Sequence, residues 1–215
     1  KYSQYDSISS ILVHELTRMK KWILSLWLLI PALVLAYHYG PGQRGLMIDE
    51  ASLMVAAANH YTLQKDWPKT IELCEKTLET LPEDEVQLRR RVVLEKAKAQ
   101  LMASQLPQAR NALITLMDEI TLDAKESDTF KDDVRQSLAN SEFYMTWLMR
   151  LEGLPRSEWQ PHVESARQHF KYLAEGRVQG DQSEKAIQHR KDLESTVRLA
   201  RMDLTELQGL PLPSQ

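Results

Sequence analysis

YTLQKDWPKTIELCEKTLETLP, residues 61–82, decides the fold. Its apolar residues Ile71, Cys74, Leu78 and Leu81 recur at intervals of three and four, which lays them along one side of an α-helix. Just before them stands Asp66, whose carboxylate is suited to accept from the unpaired N–H groups of a helix start. Trp67 and Pro68 fall in the first turn, where the N–H that proline lacks has no partner to lose. Upstream of that break Leu53, Ala57, His60, Tyr61 and Gln64 lie along one side of a preceding helix. The stretch is therefore the turn and second arm of a helical hairpin, and Pro82 ends it.

The pattern extends outward in both directions. Helical spacing predicts seven helices, over 46–65, 67–81, 83–104, 106–122, 128–152, 158–175 and 182–208. The glycines, Gly40, Gly42, Gly45, Gly153, Gly176, Gly180 and Gly209, fall between these helices and not inside them. No run alternates Val, Ile or Thr with polar residues between turn signals, so strands are not expected. The expected class is all-α.

The hairpin recurs. KDWPKTIELCEKTLETL aligns with SQLPQARNALITLMDEI, placing Ala109 on Thr70 and Leu113 on Cys74. A more divergent third pair runs from ANSEFYMTWLMRLEG through LPRSEW into VESARQHFKYLAEG, with Ala166 and Phe170 at the small and the large position. Residues 51–82 resemble a tetratricopeptide repeat, whose signature is a spaced set of large and small residues across two antiparallel helices. Ala58 sits at a small position, Tyr61 at the tyrosine position, Asp66 and Trp67 at the turn and Pro82 at the exit. Met54, Thr70 and Cys74 depart from the family's Trp, Ala and aromatic. The second copy follows the first at 39 positions, about five more than the family's 34, and an extended third helix is expected to absorb the difference.

The resemblance implies a right-handed solenoid of about three hairpins, closed by the last helix as a cap. It also implies a groove for peptides or proteins along the first helix of each pair. The matching positions are Ser52, Val55, Asn59, Thr62 and Leu63, then Arg91, Leu94, Lys98, Leu101 and Met102, with Asn59, Thr62, Leu63, Arg91, Lys98 and Met102 as the expected contacts. The family's clamp for a terminal carboxylate is not implied, because Val55 and Glu95 stand where Lys and Asn are needed.

Residues 22–39, WILSLWLLIPALVLAYHY, carry no charge. As a helix they measure roughly 27 Å against a hydrocarbon core of about 30 Å. Trp22, Trp27, Tyr37 and Tyr39 are placed for interfacial belts, and Lys20 and Lys21 can reach headgroups. Small residues around Val34-Leu35-Ala36 also suit a cleavable leader, and a buried core helix is the other competing reading. As an anchor, the stretch is a single transmembrane helix. Arg18, Lys20 and Lys21 precede it and only Arg44 follows closely, which orients the N-terminus to the cytoplasm. The expected organisation is a cytoplasmic segment 1–21, a span 22–39, a Gly/Pro linker 40–45, a repeat domain 46–208 and a tail 209–215. Within 1–21, Ile8, Ile11, Leu12, Leu16 and Met19 recur at helical spacing. They form an interfacial helix, a strip for another membrane protein or an extension of the anchor.

A net charge of -3 offers no attraction to nucleic acid. Cys74 is the only cysteine, and the six histidines form neither an HExxH nor an i,i+4 pair. No phosphate loop or nucleophile elbow occurs, so no enzyme, cofactor, metal or small-molecule substrate is expected. Arg89, Arg90 and Arg91 suit either an acidic segment or a solvated face with Glu85. In and just after FYMTWLM, residues 143–149, Phe143, Trp147 and Leu151, spaced by four, are expected inside the third hairpin. Tyr144, Met145 and Met149 are left for the last helix or for a partner interface. The absence of an Asn-x-Ser/Thr acceptor leans towards a bacterial envelope.

The expected function is that of a membrane-anchored scaffold for protein–protein contacts, assembling or stabilising an inner-membrane complex as one of its subunits, with its repeats in the periplasm. The alternative is a periplasmic chaperone-like module that binds exported polypeptides.

Overall fold

Caps and breakers set the helices, which in chain order are α1 (Gln43–Leu63), α2 (Trp67–Thr80), α3 (Val86–Met102), α4 (Leu106–Thr121), α5 (Asp128–Leu151), α6 (Arg156–Glu175) and α7 (Glu184–Arg201). Asp66 caps α2 as its sequence predicts, its Oδ1 accepting from the Lys69 N–H at 3.2 Å. Ser127 does the same for α5, its Oγ accepting from the Phe130 N–H at 3.2 Å. Pro68 and Pro107 occupy the first turns of α2 and α4. The computed structural model describes residues 27, 29–34, 37, 43–176, 184–203 and 206–207. Among them no strand occurs, and the class is all-α.

Three turns share one closure. After α1, α3 and α5 the chain enters the left-handed region at Lys65 (φ 59°), Ser104 (φ 62°) and Gly153 (φ 74°). In each, the next residue's N–H reaches back to the helix, from Asp66 to Tyr61 O at 3.0 Å, from Gln105 to Gln100 O at 2.8 Å and from Leu154 to Met149 O at 3.0 Å. The positive-φ residue itself donates to Thr62 O, Leu101 O or Arg150 O. This is the Schellman pattern, and it satisfies carbonyls that a helix end leaves bare. Only Gly153 adopts the conformation without steric cost, since a side chain in it costs roughly 1–2 kcal/mol. Lys65→Gly and Ser104→Gly are therefore expected to raise stability by about 0.5–1 kcal/mol each. Gly153→Ala, whose new methyl meets no atom within 4 Å, is expected to lower it by about 1 kcal/mol through the backbone alone. Urea midpoints of the three variants check this.

By its contacts the chain falls into two compact units, Lys1–Glu50 and Ala51–Gln215. In the second, each helix from α2 onward packs on the next, and α3 also touches α5. Three apolar clusters follow one another along the chain. Ala51, Ala58, Cys74, Leu81 and Val92 form the first, and Leu94, Leu113, Ile120 and Val134 lie in the second. Phe143, Trp159, Phe170, Leu199 and Leu207 lie in the third. The aligned small positions Thr70, Ala109 and Ala166 are all buried, as are the aligned larger ones, Cys74, Leu113 and Phe170.

Several boundaries differ from expectation. The linker expected over 40–45 is helical from Gln43 onward, because a glycine in a first turn, such as Gly45, interrupts little. Residues 40–42 lie outside the described residues. The third helix, at 17 residues against 14 for α2, is shorter than the expected 83–104. It begins at Val86 after a turn in which the Glu85 N–H donates to Pro82 O, so part of the extra length sits in that connection. The last helix ends at Arg201, and Leu207 packs into the core from a short turn beyond it.

In the first unit residues 27, 29–34 and 37 are helical and all exposed. Among the described residues no helix is long and apolar enough to cross a membrane. The expected span 22–39 lies only partly within them, and the expected segments 1–21 and 209–215 lie outside.

Candidate functional site

The first arms of the three hairpins enclose a groove. The end of α1 gives Thr62 and the start of α2 gives Trp67. From α3 come Glu95, Lys98, Ala99, Leu101 and Met102, and from α5 come Asp133, Gln136, Ser137 and Asn140. Its volume is about 480 Å³, within the usual range for a ligand-sized cleft. Buried Ala99 and Ser137 line it with small side chains, while Trp67, Leu101 and Met102 make an apolar wall.

Of the six groove residues expected from the sequence, the structure brings together Thr62, Lys98 and Met102. Asn59 and Leu63 are exposed on α1 without lining the groove, and so is Arg91 on α3. Sequence reasoning missed the α5 wall. Its signal was available, since Asp133, Gln136, Ser137 and Asn140 repeat at helical intervals as a polar stripe, but the third-pair alignment began only at Ala139.

The three arginines separate because successive residues on a helix turn by about 100°. Arg89 Nη1 donates to Leu78 O at 2.7 Å and Leu81 O at 2.9 Å, closing the C-terminus of α2. Arg90 grips the α4–α5 connection through Asp123 at 2.7 Å and Glu126 at 3.1 Å. The hydrogen bond to Asp123 leads the effects that raise its pKa above the usual arginine value. Neither Arg89 nor Arg90 is a solvated side chain or a free docking site, which corrects both sequence readings of this run. Only Arg91 is exposed.

Tyr144 and Met149 are half-buried and pack against the third cluster, as do Leu193 of α7 and Met202 just beyond it. Met145 is half-buried, and Tyr144 meets Phe143 edge-on with centroids 5.9 Å apart. The exposed apolar residues at this end of α5 are Leu148 and Leu151, the second of which was expected inside the hairpin.

A charged cluster ties the hairpins together. Glu142 of α5 is almost wholly buried, and its two oxygens meet Arg110 Nη2 of α4 at 2.9 Å and His162 Nδ1 of α6 at 2.6 Å. At the far end of α5, Arg150 donates to Leu199 O and Met202 O at the end of α7 and lies over Trp159, 4.9 Å from the ring centroid. Burial lowers its pKa from the usual arginine value.

The remaining reactive side chains are muted. Burial pushes the Cys74 thiol up to about 11, which leaves little thiolate at neutral pH. Burial also lowers the pKa of His169 and of His189, favouring their neutral forms. Among the described residues no group of three His, Cys, Asp or Glu side chains is placed to hold a metal ion. No family model matches the chain, nor does any curated protein or solved structure.

Proposed function

We propose that the chain is a membrane-anchored helical-repeat scaffold that holds partner proteins at an inner membrane. In this reading residues 22–39 are a single transmembrane helix, and the hairpins form a right-handed tetratricopeptide-like stack in the periplasm. The groove built by α1, α3 and α5 carries the proposal, because it collects an apolar wall and several polar groups where a protein segment can lie. The exposure of Trp27, Leu29, Ile30, Leu33, Val34 and Tyr37 supports the anchor, since these residues surround a helix with apolar surface. Tethering then raises the effective concentration of the groove for other membrane-bound proteins, so modest contacts suffice.

Co-purification from gently solubilised membranes tests the reading. One stoichiometric set of partners is expected, lost on Met102→Glu while circular dichroism stays helical. A scatter of substoichiometric clients supports the chaperone alternative instead. Release of the chain by alkaline carbonate would remove the anchor.

A further inference from the structure

The groove carries two carboxylates, Glu95 and Asp133, against one cation, Lys98. Lys98 Nζ is held by Glu95 Oε1 at 2.8 Å, and among the described residues the Asp133 carboxylate has no hydrogen-bond or ion-pair partner. If Lys98 swings to Asp133 it abandons Glu95. One negative charge is left over either way. One turn along α5 from Asp133, the Gln136 amide likewise has no partner among the described residues, and it can both donate to and accept from a peptide backbone. Opposite lies the apolar wall of Trp67, Leu101 and Met102, with Met102 well exposed.

From this charge balance we infer that the groove selects an extended protein segment carrying a Lys or Arg beside a large apolar residue. The cation meets the uncompensated carboxylate, the backbone meets Gln136 and the apolar side chain lies on Trp67 and Met102. A terminal carboxylate or an acidic segment is repelled by the same surplus charge. The inference rests on the groove being the partner site, as proposed above.

The test is selection of random displayed nonapeptides on the full chain in detergent, followed by affinity measurement of the selected peptide and its Arg→citrulline twin. Enrichment of Lys or Arg next to Leu, Phe or Trp is expected, with the cationic peptide binding about tenfold tighter than its twin and weakening as salt rises. Asp133→Asn should bring that ratio to about one, and Asp133→Lys should shift selection to acidic peptides. Glu95→Gln should also erase the ratio, because Lys98 is then free to neutralise Asp133. If Asp133→Asn leaves the ratio unchanged while Met102→Glu abolishes binding, the groove stands and the cation preference is wrong. If selection enriches nothing over the Met102→Glu chain, the groove reading fails and the preference fails with it.

Discussion

Arg110→Ala is expected to lower the free energy of unfolding by about 3–5 kcal/mol, the range for leaving one member of a buried ion pair behind. The Glu142 side chain is only 3% exposed, so without Arg110 its carboxylate stays out of water with the His162 ring nitrogen as its remaining side-chain contact. Glu142→Leu removes the buried charge and fills most of its volume. It leaves Arg110, 25% exposed and able to turn towards solvent, so its expected cost is smaller. The double variant Glu142→Leu with Arg110→Leu should lie closer to the parent than Arg110→Ala does, since both charges leave together. Urea denaturation of the three variants gives the order. If Glu142→Leu proves the most damaging, the cluster contributes packing and not charge pairing. The position of the cluster explains why it matters. Leu138 belongs to the second apolar cluster and its neighbour Ala139 to the third, so α5 serves two cores at once. Glu142 joins that shared helix to an arm on either side.

How much of this was legible depends on the range of the interaction. Asp66 as a cap, Pro68 and Pro107 in first turns, and the buried triples at Thr70 and Cys74 are local or periodic facts, and one residue spacing reveals them. The Schellman closures at Lys65 and Ser104 were less visible, because a lysine and a serine hold a conformation that glycine ordinarily marks. The roles of Arg89 and Arg90 were not legible at all. Each depends on which carbonyl or carboxylate another segment brings near, and Asp123 and Glu126 lie more than 30 positions away. The groove divided in the same way. Thr62, Lys98 and Met102 were found by matching α1 and α3 to the repeat pattern, whereas Asp133 and Gln136, though legible as part of a polar stripe, could be placed in the groove only by knowing that α5 comes to lie beside α3.

Phe170→Ala is expected to cost about 3–5 kcal/mol, the usual price of a large core side chain whose cavity closes only in part. Phe170 is fully buried among Ala139, Phe143, Trp159, Val163 and Leu199. The informative readout is where the loss falls. The three apolar clusters share no residue, and the principal helix contacts join consecutive helices, so stability should be coupled from neighbour to neighbour along the chain. Native-state hydrogen exchange of the variant should therefore show protection falling across α5, α6 and α7 and changing much less in α2 and α3. Leu113→Ala, at the aligned position of the second hairpin, should move the affected region to α3, α4 and α5. An equal loss of protection in every helix for both variants would mean that the 51–215 unit unfolds as one cooperative block, with its hairpins carrying no separate stability.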